Sequence, residues 1–214
     1  MADPLALTTY GVQREFKLGG LTLGFTDSEG NQVLQSKGRI AVTQQPIRTM
    51  DGRTLGTVTH KILAMTPEYD LHEGGPNDKV LSVIKVPMQL FGGGGLRTVD
   101  IKDGDGTTIA IANGNFLDMN FDIRDSQGNA VATVSRDLGK NPGLLQKFAA
   151  FTRNSYVINI IDSKNVPTLV LLGFLVVVEI LLNQSKGSSP GLIGGGIGGV
   201  GGVGMGGGFG GIKL

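Results

Sequence analysis

One segment limits the fold more than any other: Thr168 to Asn183 (TLVLLGFLVVVEILLN), apolar on every side and broken by one acid, Glu179. It follows the polar run Asp162-Ser163-Lys164-Asn165 and Pro167, so Ser163 or Asn165 as N-cap with proline in the first turn predicts a helix over 166–183. A helix with no polar face must be enclosed by protein or by lipid. Val166 to Leu182 is 17 residues, about 26 Å at 1.5 Å per residue, the short limit of a bilayer span. Glu179 lies within it, and neither an aromatic belt nor a basic cluster flanks it. An acid is costly in hydrocarbon but needs only one polar partner inside a protein. The reading favoured is a core helix with Glu179 paired at the mouth of its enclosure; a membrane anchor is the alternative.

What could enclose it is written upstream. From Arg14 to Ile161, short β-favouring runs alternate with turn residues, the pattern of an all-β sandwich or barrel. The clearest runs are Leu21–Phe25, Arg39–Thr43, Thr54–Met65, Lys79–Val86, Thr98–Lys102, Thr107–Ala112, Phe116–Arg124, Ala130–Arg136 and Ser155–Ile161. Hairpin reversals are marked by Asp27-Ser28-Glu29-Gly30-Asn31, Asp51-Gly52, Asp103-Gly104-Asp105-Gly106 and Asp125-Ser126-Gln127-Gly128-Asn129. The phrase Asp-Ser-x-Gly-Asn-x-Val occurs at Asp27 and again 98 residues later at Asp125, which suggests internal duplication. Because turn residues come from a small menu, two hairpins with the same turn are the other explanation. His72 to Asp78 and Gly92 to Gly95 interrupt the β-pattern, the second near its middle.

Composition excludes more than it assigns. The 214 residues contain no cysteine, which removes disulfides, zinc ribbons, iron–sulfur clusters and thiol nucleophiles. Nineteen basic against eighteen acidic side chains give a net charge of +1, no basis for a nucleic-acid surface. Residues 1–11 show no secretory pattern, and with the missing cysteines this leads to the expectation of an intracellular protein. Of 36 glycines, 15 fall in the last 28 residues, where Lys213 is the one charge. That tail is expected to be disordered through chain entropy, either passive or a weak self-association or partner-binding segment.

The β-rich region ending in Arg153-Asn154-Ser155-Tyr156-Val157-Ile158-Asn159-Ile160-Ile161, the polar turn, and the apolar segment closing in Glu179 and Asn183 resemble the LURP-one-related and phospholipid-scramblase families, whose fold is similar to the tubby C-terminal domain. The hairpin phrase Phe121 to Arg136 is similar to that family's repeated hairpin. The resemblance implies a mainly β fold: a closed antiparallel barrel of about twelve strands in two pseudo-repeated halves, with the helix threaded through it. The domains are then an N-terminal extension over 1–11, the barrel over 12–184 with its core helix at 166–183, and the tail over 185–214.

Candidate chemistry is sparse. His72 in Glu68-Tyr69-Asp70-Leu71-His72-Glu73 offers metal-binding or acid–base groups, but a solvated loop explains the cluster as well; His60 reads as a half-buried strand residue. Asp100, Asp103 and Asp105 have the density of a calcium loop, yet the twelfth position is Ile111, and a hairpin turn is the simpler reading. Gly194 to Gly199 satisfies G-x-G-x-x-G only through low complexity. No catalytic, cofactor or metal residue is assigned. The resemblance implies a non-enzymatic binding or scaffold protein, cytoplasmic and peripheral at membranes, with a role in stress or defence. A protein partner or a phospholipid or phosphoinositide surface would be its ligand. The alternatives are a scramblase-like membrane-associated protein and a phosphoinositide-binding module. The first is weakened by a single acid in Asp162 to Asn165, where scramblases carry an acidic calcium segment, and by the absence of cysteine for palmitoylation. The second requires folding to gather the scattered Lys37, Arg39, Arg48, Arg53, Lys61, Arg136, Lys140, Lys147 and Arg153 on one face.

Overall fold

The computed structural model describes residues 3–17, 20–39, 44–61, 67–86, 97–116, 118–136 and 155–187. Twelve strands follow one another: β1 (Thr9–Lys17), β2 (Gly20–Thr26), β3 (Gln32–Arg39), β4 (Gln44–Thr49), β5 (Thr54–His60), β6 (Glu68–Glu73), β7 (Val80–Lys85), β8 (Arg97–Asp103), β9 (Thr108–Asn115), β10 (Asn120–Asp125), β11 (Ala130–Ser135) and β12 (Ser155–Ile160). Each pairs antiparallel with its sequence neighbours, and β1 pairs with β12 (Val12 opposite Tyr156), closing an up-and-down barrel with no free edge. Helix α1 (Thr168–Gly187) runs inside it.

The inward face explains why the helix fits. Alternate strand residues such as Val12, Leu23, Phe25, Leu34, Ile84 and Ile123 point into the lumen and are fully buried. Against them every residue from Thr168 to Glu179 is buried, so the three turns are covered on all sides. Phe174 meets Phe121 edge to face, with ring centroids 5.4 Å apart, and Phe116 meets Phe121 likewise at 5.0 Å. At Gly173 an added Cβ would lie 2.9 Å from Leu71, so glycine sets the closest approach of α1 to β6. Ala110 and Ala112 keep the inner face of β9 thin. The core-helix reading holds, with α1 starting at Thr168 and reaching Gly187.

Two local expectations change. Asn165 does not cap the helix: its side chain donates to Asp125 (3.1 Å), and the Pro167 carbonyl accepts from the N–H groups of Val170 and Leu171. The barrel begins at Thr9, so β1 takes in residues 9–11 of the expected extension.

One end of the barrel is made of tight reversals, called here the turn end. In three hairpins an aspartate opens the turn and its carboxylate accepts two backbone N–H groups: Asp27 from Glu29 and Asn31, Asp103 from Asp105 and Thr107, Asp125 from Gln127 and Asn129. Each then places a glycine at φ +88° (Gly30, Gly106, Gly128), where a Cβ would be strained. The register slips by one residue just before each turn, a β-bulge that adds twist. Asp27 and Asp125 open the β2–β3 and β10–β11 turns, eight strands apart, whereas halves of six strands would pair turns six apart. Shared turn chemistry therefore accounts for the 98-residue echo.

Strands β1, β3, β4 and β6 lie where no clear strand was read. Residues 40–43 and 62–66 of the expected runs, and Gly92 to Gly95 between β7 and β8, lie outside the described residues. Phe116 and Met119 belong to the reversal from β9 into β10, with Met119 at φ 49°.

Candidate functional site

The lumen is a packed core. Among the described residues an ion pair joins Arg14 on β1 to Glu179 on α1 (3.0 Å), with side chains 5% and 0% exposed. This is the polar partner the helical acid requires. Tyr156 on β12 lies beside the pair: burial, followed by the neighbouring Glu179 carboxylate, pushes its phenol well above the ordinary value, and Arg14 and Arg136 act in the opposite sense. The phenol is thus neutral at any physiological pH.

The expected chemistry disperses over the outer wall. Glu68 to Glu73 is strand β6, so Asp70 and His72 face outward from a sheet and not from a loop. His72 Nδ1 lies 3.0 Å from the Asp78 carbonyl, which can only accept, and Nε2 lies 3.1 Å from the Thr59 hydroxyl. Both ring nitrogens are used in holding β5, β6 and the turn after β6. His60 stacks on Tyr69 (4.6 Å, 16°), and burial lowers its pKa. Lys61 pairs with Glu68 (2.7 Å) and Asp70 (3.0 Å), and Lys85 with Glu68 (3.1 Å). Asp103 is consumed by its own turn. Among the described residues no group of three or more His, Cys, Asp and Glu could hold a metal ion. Of the basic residues considered, Arg53 is at the turn end, Lys61 is paired and the Nε of Arg136 is buried; Lys140, Lys147 and Arg153 lie outside the described residues.

Concavity occurs instead at the turn end. The segment preceding β1 crosses the rim and is tied down where the Tyr10 hydroxyl donates to the Pro4 carbonyl (2.7 Å). Burial holds this phenol well above its ordinary pKa, so the donor is permanent. Between this strap, the β2–β3 turn and the β4–β5 turn lies a cavity of about 510 Å³. Pro4, Leu7, Val33 and Met50 give it apolar walls, and Asp3, Asp27, Asp51 and Arg53 line it with charge. Its volume falls in the range of ligand-binding clefts.

Two of the acids, Asp27 and Asp51, are held ionised. Slight burial would raise Asp27, but the Asn31 side chain and the backbone N–H groups of its turn outweigh this and lower its pKa. Asp51 is lowered by the Thr49 hydroxyl and the Arg53 N–H. With one arginine against three aspartates, the lining is anionic and apolar at neutral pH. Met50 (47% exposed) and Ile161 (55%), the exposed large apolar side chains among the described residues, are both at this end. Sequence reasoning missed this site because its walls come from residues 3–7, 27–33 and 49–53.

A family model described as LURP-one-related matches residues 7–179, nearly all of the barrel and its helix. The chain belongs to the LURP-one-related family. A solved X-ray structure of a protein from Arabidopsis thaliana is similar to it at 15% identity and TM-score 0.54, covering 86% of this chain and 96% of that one. At that identity the likeness concerns the fold alone. No curated protein matches the chain. Among the described residues no helix is long and apolar enough to cross a membrane.

Proposed function

We propose that this LURP-one-related protein is a non-catalytic binding module that recognises a protein partner through the turn end of its barrel. The observation that carries the reading is the cavity beneath the Pro4 strap, apolar on its walls and anionic at its lining. An aliphatic side chain flanked by Lys or Arg on an extended segment suits it, since the side chain loses water against Leu7, Val33 and Met50 while the cation meets Asp51 and Asp27. The filled lumen supports a surface role, because α1 occupies the space in which a barrel would otherwise hold a ligand. A phosphoinositide headgroup fits this end poorly, as like charges would face each other.

The test is selection from a random-peptide display library on the full chain and on Met50→Asp, an exposed position. Aliphatic–basic sequences should be enriched on the native chain and lose at least tenfold in affinity for the variant, about 1.4 kcal/mol. Enriched sequences that bind both equally, or an enriched set that is acidic, would overturn the reading. So would salt-sensitive binding to vesicles containing phosphoinositide that Met50→Asp leaves unchanged.

A further inference from the structure

We infer that the turn-end cavity has an occupant within the same chain, the segment Ile212-Lys213-Leu214, which competes with outside partners. The inference rests on the proposed binding role of that cavity.

Three observations lead to it. The first is chemical: over residues 187–214 apolar side chains are interspersed with glycines, and the single charged side chain, Lys213, is flanked on both sides by an aliphatic residue. This is the pattern that the apolar walls and the aspartates of the cavity accept, Lys213 facing Asp27 and Asp51, with Ile212 or Leu214 against Val33 and Met50.

The second is geometric. Helix α1 carries the chain from the turn end to the opposite end in 20 residues, about 30 Å at 1.5 Å per residue. From Gly187 to Ile212 there are 24 intervening residues, and a glycine-rich segment of that length has an r.m.s. reach of about 27 Å and an extended limit near 80 Å. Reach and span are matched, the condition under which the effective concentration of a tethered ligand is greatest, of millimolar order.

The third is energetic. At millimolar effective concentration a segment with an intrinsic dissociation constant of about 1 mM is half bound, so a few contacts suffice. Such an occupant shields the cavity weakly and yields to a better one.

The absence of cysteine permits a clean test on the full chain. Gly210→Cys carries a nitroxide, and paramagnetic broadening is read at the methyl groups of Leu7, Val33 and Met50. The result expected is strong broadening at these methyls that Lys213→Glu and Asp51→Asn each reduce at least twofold, while removal of Lys213's charge tightens peptide binding at the cavity. Broadening unchanged by Lys213→Glu would overturn the inference. So would broadening that passes to an isotope-labelled, nitroxide-free chain in a one-to-one mixture, since the occupant would then be a second copy. If selected peptides bind at Met50 and the tail does not broaden the cavity methyls, the intramolecular occupant fails alone. If neither binds there, the binding role fails with it.

Discussion

Replacing Arg14 by methionine isolates what its ion pair with Glu179 does in the lumen. At 3.0 Å, two unit charges attract by about 5.5 kcal/mol at an effective dielectric constant of 20, comparable with the several kcal/mol lost when each ion leaves water. The pair therefore adds little net stability, but Arg14→Met leaves the fully buried Glu179 without its countercharge, which costs about 3–5 kcal/mol. The double variant Arg14→Met, Glu179→Met removes both charges and should return to within about 1 kcal/mol of the native chain or exceed it. Urea denaturation at pH 7 reads this as a lowered midpoint at unchanged slope for the single variant and recovery for the double. A single variant as stable as the native chain would refute the reasoning, as would a double variant no better than the single.

Other perturbations probe separate parts of the account. Gly114→Ala would set a Cβ 2.0 Å from the Asn120 carbonyl oxygen and within 2.7 Å of Phe121, so the β9–β10 reversal must move; a loss of about 3 kcal/mol in urea is expected. Tyr10→Phe removes the donor to Pro4 and should cost about 1 kcal/mol in thermal denaturation while weakening peptide binding at Met50, since the strap forms one wall of the cavity. Asp27 and Asp125 have carboxyls lowered by the bonds of their turns, so the stability they contribute is present above the ordinary value of 3.8 and is lost as pH falls through their lower folded values. A melting-temperature scan from pH 7 to 2 should therefore fall less steeply in the acid range for Asp27→Asn, Asp125→Asn than for the native chain.

The helix was legible because nothing else allows three turns without a polar face, and its lone acid foretold a partner, though only folding could name Arg14. Runs such as Thr98–Lys102 and Ala130–Arg136 were legible because Val99, Ile101, Ala132 and Val134 put apolar side chains at alternate, lumen-facing positions. Strand β3 was not: its inner face continues from Leu34 to Ser36 and Gly38, small residues beside Gln45, so the alternation fades. Strand β6 was hidden by its outer face, where Glu68, Asp70 and His72 make a barrel strand look like an acid–base loop. In β4, Pro46 reads as a break; it lies just beyond the last β3–β4 pair, Ser36 with Ile47. The cavity was illegible because it needs barrel closure to bring three distant turns and a strap together, and its acids read individually as turn residues, which they also are.

The central claim is that an apolar helix fills a closed twelve-stranded barrel, and native-state hydrogen exchange tests it directly. If the account is right, the amides of Leu171 to Val178 exchange only through global unfolding, with the same free energy as those of β2 and β10 that surround them. Exchange of those helical amides well below the global free energy, while the strands stay protected, would mean that the helix leaves a barrel that stands without it, and would contradict the account.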